Sequence, residues 1–271
     1  MRSAARSKPN YSVPPVVRAI RLLRHVAAGH SLANLSRAAR DTGIERTTLL
    51  RLIHTLQDEG FIEQAAGGRH TLGTALIELA GQKIFSLDLA QAATPVLARL
   101  ALELGLSCHL GILQGRDVVY IVRQTPNLHL VSNIRVGSRL PAHATTMGRI
   151  ILAQMPSADV DTLFEGAPLA AATAKTATTP AALRRQLRED RAAGYAASQS
   201  HFEIGIDSYA AAVFDHTGLA AGAINVSGPE SAFAGAPVRR ADIIAALLAA
   251  AQDISRGMGC PPAPAKRRNA R

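Results

Sequence analysis

Four polar residues between positions 47 and 55 have the spacing of a single helical face. They are Thr47, Arg51, His54 and Thr55, and they lie opposite an apolar stripe at Leu49, Leu52 and Leu56. An arginine side chain can donate two hydrogen bonds to guanine, and the methyl group of threonine can pack against that of thymine. The polar face therefore predicts a helix that reads base edges in the major groove of DNA.

The residues that begin this helix favour contacts with phosphate groups. Arg46 stands beside the hydroxyl groups of Thr47 and Thr48, and the first N–H groups of a helix have no partners within it. Cations, hydroxyls and such N–H groups commonly bind the phosphates that position a protein on DNA. We assign this positioning role to Arg46, and Arg69, in the glycine-rich segment that follows, is a weaker candidate for a DNA contact.

A second group of polar residues could bind a small acid. The sequence HATTMG at 143–148 begins a predicted helix, whose start offers N–H donors and a favourable potential for an anion, and Thr145 and Thr146 add hydroxyl donors. Two predicted strands each carry a pair of residues on one face, namely Asn225 with Ser227 and Ile206 with Ser208. Polar groups that converge from strands and a helix start predict a pocket for a small organic acid.

An enzyme that processes such an acid is the competing hypothesis. Its candidate residues are His109, His143, His201, Asp207 and Asp215. The sequence contains no nucleophile elbow, no glycine-rich phosphate loop and no cluster with metal-ligand spacing. Cys108 and His109 are adjacent, so on a strand they point to opposite faces and do not form a catalytic pair. We therefore favour a binding protein, and we expect neither a metal ion nor a cofactor.

The charge of the chain is concentrated at its ends. The 271 residues carry a formal net charge of +10; residues 1–80 hold 11 Lys and Arg against 6 Asp and Glu, residues 81–260 hold 15 against 14, and residues 261–271 hold 4 against none. A basic module before a nearly neutral body indicates that the first part meets a polyanion. No long apolar run or signal segment is present, which predicts a cytoplasmic protein without a membrane span.

Three predicted helices and a hairpin would position the DNA-facing residues. The first helix begins at two prolines and ends near Gly29, and the second follows Ser31 as its N-cap. The expected buried face of the first helix consists of Val16, Ile20, Leu23 and Ala27. The third helix lies in GIERTTLLRLIHTLQDEGFI, and FIEQAAGGRHTLG predicts two short strands around a Gly-Gly turn. This order predicts a winged helix-turn-helix domain at 13–73, after a basic arm at 1–12.

The pattern after a linker helix at 74–86 predicts a second domain at 87–258. Strands are predicted in SCHLGIL, DVVYIVRQ and LHLVSNIRV, and a further hairpin in DSYAAAVFDHTGLAAGAINVSG. Helices are predicted in ATTMGRIILAQM, TPAALRRQLREDRAAG and PVRRADIIAALLAAAQDISRGM. The fold class is therefore α+β, with helices that flank an antiparallel sheet, and residues 259–271 have the composition of a disordered basic tail.

Three segments of the chain resemble the IclR family of bacterial transcription regulators. They are the winged helix with GIERTTLLRLIHTLQDEGFI and GGRHTLG, then RLPAHATTMGRIILA at 139–153, then GYAASQSHFEIGIDSYAAAVFDHTGLAAGAINVSGP at 194–229. The resemblance extends from about residue 13 to residue 258. It implies a regulator that binds a roughly palindromic operator in double-stranded DNA as a homodimer or a dimer of dimers, with a GAF-like C-terminal domain that binds a small effector.

The resemblance also implies a set of effector contacts. These are His129, Leu140, Thr146, Met147, Ser198, Ile206, Ser208, Asn225 and Ser227. The chain departs from the family at Asp207, where members often have an arginine. Strand alternation places Asp207 on the face opposite Ile206 and Ser208, whereas a bulge at this point would turn it toward the ligand.

Overall fold

The computed structural model describes residues 12–65, 69–79, 88–126, 134–233 and 237–261. The chain divides into two compact units, Met1–Ser86 and Leu87–Arg271. Most of the predicted arm, residues 80–86 of the predicted linker helix and most of the predicted tail lie outside the described residues. Within the ranges that are described, none of the helices is long and apolar enough to cross a membrane.

The first unit has the predicted order of three helices and a hairpin. The helices are α1 (Pro14–Ala27), α2 (Leu35–Thr42) and α3 (Arg46–Asp58), and they precede the antiparallel strands β1 (Ile62–Gln64) and β2 (His70–Leu72). Residues 75–79 are also helical and form α4. The prediction of a winged helix-turn-helix is confirmed.

The buried face of α1 differs from the predicted one. Leu22 and Val26 are buried among side chains of α2 and α3, whereas Val16 and Ile20 are 54% and 43% exposed. The sequence offers two apolar stripes on this helix, and only its second half packs against the other helices. The first half therefore leaves its apolar side chains in contact with solvent.

The second helix begins three residues later than its predicted N-cap implies. Asn34 is the N-cap, and its side chain accepts a hydrogen bond from the Arg37 N–H at 3.0 Å. The Ser31 hydroxyl instead accepts from the Ala33 N–H at 3.2 Å, which closes a local turn. Both side chains are good caps, so the sequence alone does not choose between them. Gly43 ends the helix at φ 64°, a left-handed conformation that glycine adopts without strain.

The second unit is built on a six-stranded antiparallel sheet. The strands are β3 (Ser107–Gln114), β4 (Asp117–Gln124), β5 (Arg139–Pro141), β6 (Ala196–Gln199), β7 (Ile206–Phe214) and β8 (Ala220–Pro229), in the spatial order β5-β4-β3-β8-β7-β6. The helices are α5 (Asp88–Leu104), α6 (Thr146–Gln154), α7 (Ser157–Phe164), α8 (Pro180–Ala193), α9 (Glu230–Phe233) and α10 (Pro237–Gly257). The α+β fold class is confirmed.

Helices α5 and α6 cover opposite faces of this sheet. A side chain added at Gly111 of β3 would meet Met147 of α6, whereas one added at Gly222 of β8 would meet Leu89 of α5. Gly111 pairs with Ala223, the neighbour of Gly222, so the two glycines belong to opposite faces. Helix α10 packs against α5 and β7, and α8 packs against α6 and β6. Helix α6 thus lies between the sheet and α8.

Most of the predicted third strand of this unit cannot be compared with the structure. Residues 128–133 of LHLVSNIRV lie outside the described residues, and residues 134–138 are not in a strand but include a turn before β5. The short elements β5, β6 and α7 were not predicted. Strands of three or four residues carry too few alternating positions for their period to be recognised.

A buried ion pair joins three elements of the second unit. Arg149 of α6 donates from Nε to Asp190 Oδ2 of α8 at 2.9 Å, and the two side chains are 2% and 9% exposed. The Arg149 Nη2 group also donates to the Ala197 carbonyl of β6 at 2.6 Å. Burial is the largest influence on the carboxyl of Asp190 and raises its pKa, while the neighbouring guanidinium opposes that rise. The pair holds α6 and α8 against the edge of the sheet.

Candidate nucleic-acid interface and effector cavity

Helix α3 presents the predicted polar face to solvent. Thr47, Arg51, His54 and Thr55 are all exposed. On the other side of the helix, Leu49, Ile53 and Leu56 are buried and Leu52 is partly buried in the core of the first unit. The helix therefore has one face fixed by packing and one face free to meet a ligand.

Glu45 caps this helix and was not among the predicted residues. Its carboxylate accepts the N–H groups of Thr47 and Thr48, each at 3.1 Å, and both threonine hydroxyls also donate to it. These hydrogen bonds, that of the Thr47 side chain first, lower the pKa of Glu45 to about 2. A carboxylate one residue before a helix start is the signal that could have identified this cap.

The cap corrects one expectation about phosphate binding. The N–H and hydroxyl donors of Thr47 and Thr48 are already committed to Glu45, and the Thr55 hydroxyl donates to the Arg51 carbonyl at 2.9 Å. The threonines of α3 therefore offer mainly methyl groups to a partner. Among the predicted DNA contacts, Arg46, Arg51 and Arg69 are exposed cations that can still donate to phosphates. Residues 66–68 of the hairpin lie outside the described residues.

The second unit contains a cavity between the start of α6 and strands β7 and β8. About 430 Å³ of non-atom space lies within it, a volume that includes open solvent. Its walls are formed by Tyr120, Ile134, Thr145, Thr146, Ser198, Phe202, Glu203, Ile206, Ser208, Asn225 and Ser227. The wall therefore combines hydroxyl and amide groups with apolar side chains, and no Lys or Arg is among the lining residues that the structure describes.

The start of α6 forms part of the cavity wall. Thr145 is the N-cap and accepts the Gly148 N–H at 3.2 Å, and the Thr146 hydroxyl lies 3.1 Å from that of Ser208 on β7. Any side chain at Gly148 would collide with the backbone of Ala142, so glycine is required for the loop to approach the helix this closely. This packing aims the first turn of α6 at the strand residues.

Seven of the ten predicted effector residues line this cavity. They are Thr145, Thr146, Ser198, Ile206, Ser208, Asn225 and Ser227. Met147 and Leu140 do not: Met147 is fully buried in the core, because it follows Thr146 around the helix toward the sheet, and Leu140 packs against the same core. His129 lies outside the described residues.

Four cavity residues were not predicted. Tyr120 lies on β4, Ile134 precedes β5, and Phe202 and Glu203 lie on the loop between β6 and β7. The loop is tied down by the Thr173 hydroxyl, which donates to the Ser200 and His201 carbonyls at 3.0 and 2.9 Å. No local pattern marks these residues, since their approach depends on the order of strands in the sheet.

Asp207 faces away from the cavity, as strand alternation predicts. The pairing of β7 with β8 is regular from Ile206 to Val213. The alternative, in which a bulge turns Asp207 toward a ligand, is therefore wrong. Its side chain is only 2% exposed. Burial raises the pKa of Asp207, and the negative charge of Glu230 adds to the rise.

The residues of the enzyme hypothesis do not form a catalytic cluster. His143 Nε2 lies 3.0 Å from the Ala170 carbonyl, and His201 Nδ1 accepts from the Gln199 N–H at 3.0 Å. Asp215 caps its own turn by accepting from Thr217. Burial raises the pKa of Cys108 to about 12, so its thiol is a poor nucleophile. Among the described residues, no group of three His, Cys, Asp or Glu could hold a metal ion.

Two protein-family models match this chain. The IclR helix-turn-helix domain matches residues 15–66, and the bacterial transcriptional regulator IclR C-terminal domain matches residues 81–256. A glycerol operon regulatory protein of Streptomyces coelicolor is 31% identical over 251 residues, which are 92% of this chain and 97% of that protein.

Solved structures agree with these matches. A transcriptional regulator from Rhodococcus sp. RHA1 superposes with a TM-score of 0.80 at 30% identity, over 91% of this chain and 98% of its own. An IclR homologue from Microbacterium hydrocarbonoxydans, complexed with 4-hydroxybenzoate, has a TM-score of 0.78 at 25% identity, over 90% of this chain and 98% of its own. Both halves of the chain, and not the DNA-binding half alone, thus have counterparts among these regulators.

The two units therefore match the two domains of one family of regulators. The relatives that match along both units are transcriptional regulators and not enzymes. With both family models matched in order along the chain, this protein belongs to the IclR family of bacterial DNA-binding transcriptional regulators.

Proposed function

We propose that a small organic acid with an apolar or aromatic body binds in the cavity and controls operator binding. The composition of the cavity wall carries this proposal: hydroxyl and amide donors from α6, β7 and β8 face the side chains of Tyr120, Ile134 and Ile206. Such a wall suits a ligand with one acidic end and one apolar end. It suits a bulky sugar poorly, because a sugar would leave hydroxyls against apolar side chains.

The carboxylate of the acid would lie at the start of α6. The first N–H groups of a helix have no partners within the helix, and the helix dipole favours negative charge there. The Thr146 and Ser208 hydroxyls stand at this end and share a hydrogen bond of 3.1 Å, so the one that accepts in that bond can donate its proton to an anion. The relative that was solved with 4-hydroxybenzoate supports an acid of this class.

Acid binding should raise the melting temperature of the protein, because a ligand that binds only the folded state stabilises it by mass action. We expect benzoate or pyruvate to produce this shift and their carboxylate-free analogues to produce less. Ser227→Ala should weaken acid binding by roughly 0.5–1.5 kcal/mol, the worth of one hydrogen bond, or more if it meets the charge. Thermal unfolding over a ligand titration measures both effects.

The control for this substitution is Ser36→Ala, which makes the same chemical change on the exposed face of α2. It should leave the ligand-induced shift intact. Equal stabilisation by the carboxylate-free analogues would contradict the acid, and an unchanged shift in Ser227→Ala would contradict this placement of it.

The polar face of α3 is proposed to read the operator. Arg51 and His54 would meet base edges, with the methyl groups of Thr47 and Thr55 beside them, while Thr48, tied to the cap and partly buried, would help to shape the helix start. Arg46 and Arg69 would bind phosphates. Their charges are exposed, and on this unit they add to a net basic charge that favours a polyanion.

Assembly as a homodimer or a dimer of dimers is part of the proposal, since a dimer can read the two halves of a palindromic site. Exposed apolar side chains on α1 and α4 support it: Ile20 is 43%, Ile77 71% and Leu79 56% exposed. Ile77→Asp should therefore shift the protein toward monomer in sedimentation, since it would place a charge in the interface. Leu219→Asp, equally apolar and exposed on a hairpin turn, should not. A monomeric wild type with full operator affinity would contradict the assembly.

A further inference from the structure

His109 lies directly behind the wall of the cavity. It stands on β3 opposite Asn225 of β8, so the two side chains share a face of the sheet. The His109 Nδ1 atom is 2.9 Å from Asn225 Oδ1, and the His109 ring packs edge-on against that of Tyr120, with centroids 5.5 Å apart. Both neighbours line the cavity, whereas His109 itself is fully buried.

The protonation of His109 follows from this environment. The pKa of His109 is lowered to about 4, chiefly by burial; the bond to Asn225 opposes the fall, and the charge of Arg123 adds to it. The ring is therefore neutral at neutral pH and carries one proton. Because an amide oxygen can only accept, that proton must lie on Nδ1 for the bond to Asn225 Oδ1 to form. The other ring nitrogen, Nε2, is then a buried acceptor without a hydrogen bond in the described part of the chain.

The hydrogen bond from His109 occupies the oxygen of the Asn225 amide and leaves its N–H2 group available. Asn225 Oδ1 is engaged by His109, and among the described residues its Nδ2 group donates to no other atom that is recorded. Asn225 is 4% exposed, and the surface that it retains belongs to the cavity wall. An apolar residue in place of His109 would leave no unpaired ring nitrogen. It would, however, allow the Asn225 amide to rotate so that Oδ1 and Nδ2 exchange places.

We propose that His109 is a positioning residue that holds the Asn225 amide with its N–H2 group toward the cavity, so that the site selects a ligand with a hydrogen-bond acceptor there. This inference rests on the proposed acid effector and specifies how its acidic end is distinguished from an amide. A carboxylate presents only acceptors to Asn225, whereas a primary amide would also bring N–H donors toward an N–H donor.

Two matched pairs of probes test this selection: benzoate with benzamide, and pyruvate with pyruvamide. The wild-type full-length chain should bind the acid of a pair about tenfold more tightly than the amide, the factor expected for a charge-assisted hydrogen bond. His109→Leu should bring that ratio close to one. His109→Asn, whose amide nitrogen can take the place of Nδ1, should restore much of it. Dissociation constants from thermal shift titrations give the ratios.

Asn225→Asp provides a gain-of-function test. With His109 still donating to one carboxylate oxygen, the other oxygen would face the cavity, and preference should reverse from the acid to the amide. A reversal cannot arise from partial unfolding, which would weaken both probes together. The wild-type protein also offers a direct measurement, since the ¹⁵N shifts of the His109 ring distinguish a proton on Nδ1 from one on Nε2.

The outcomes separate this inference from the proposed function. If the wild type prefers the acids and His109→Leu keeps the same ratio, or if the ring proton lies on Nε2, the positioning role is overturned and the acid effector stands. If the wild type prefers neither acid over its amide, the acid effector fails, and this inference fails with it.

Discussion

Replacing Asp190 with alanine should lower the free energy of unfolding of the second unit by about 3–5 kcal/mol, the usual cost of removing one member of a buried ion pair. Arg149 would remain 2% exposed without the carboxylate it donates to at 2.9 Å. The Ala197 carbonyl would be its one recorded partner among the described residues. Denaturant titration followed by circular dichroism measures the loss, with the transition of the second unit fitted separately.

Asp161→Ala is the matched control. Asp161 of α7 pairs with Arg184 of α8 at 2.7 Å, but both side chains are more than 40% exposed. Ion pairs in contact with water contribute roughly 0–1 kcal/mol, so this shorter contact should matter far less than the buried one. Equal losses in the two variants would show that solvent reaches Arg149 and that the buried pair has been misjudged.

A double replacement separates charge from packing at the same place. Arg149→Met with Asp190→Leu removes both charges and keeps much of the side-chain volume. Such exchanges of a buried pair for apolar residues are often neutral or stabilising. We therefore expect the double variant to recover most of the stability lost in Asp190→Ala. A double variant no more stable than the single one would mean that the hydrogen bond from Arg149 to β6 is the larger contribution.

Several local features of the first unit were predicted well, although the caps at Asn34 and Glu45 were missed. The start of α3, the turn at Gly43 and the hairpin after Phe61 depend on residues close in sequence. The face of α1 was predicted only in part: Leu23 packs against the core as expected, but Ile20 does not. Ile20 and Leu22 are equally apolar, and only contacts with α2 and α3 decide which of them is buried. Local periodicity gives the existence of a helix more reliably than its orientation.

In the cavity, too, residues with a local sequence pattern were predicted and residues placed by distant contacts were not. Strand alternation was sufficient to place Asn225 with Ser227 on one face of β8, and Ile206 with Ser208 on one face of β7. The register that pairs Ser208 with Ser227 brings both pairs to the same face of the sheet, and alternation within one strand does not give it. Phe202 and Glu203 could not be predicted, because they lie on a loop whose path depends on distant hydrogen bonds from Thr173. Side chains that reach a site from loops carry no periodic pattern in the sequence.

The role of Arg51 depends on where α3 directs its exposed face. The core holds the opposite face through Leu49, Ile53 and Leu56, so the Arg51 side chain points from the first unit into solvent. Arg46 lies more than one turn earlier, next to the Glu45 cap. In a winged helix-turn-helix the recognition helix enters the major groove, where an arginine within its first two turns reaches base edges. Arg46 and Arg51 therefore provide two matched cations with different expected roles.

Arg51→Ala should weaken operator binding by about 1–3 kcal/mol and leave binding to random duplex DNA nearly unchanged, because a bidentate contact to guanine discriminates between bases. Arg46→Ala should instead weaken both by similar amounts and reduce the slope of log affinity against log salt by about one unit, as the loss of one phosphate contact requires. Fluorescence anisotropy over a salt series, with operator and shuffled duplexes of equal length, measures both quantities. Equal loss on the two duplexes for Arg51→Ala would assign that side chain to a phosphate, and base reading would then rest on His54 and the threonine methyl groups of α3.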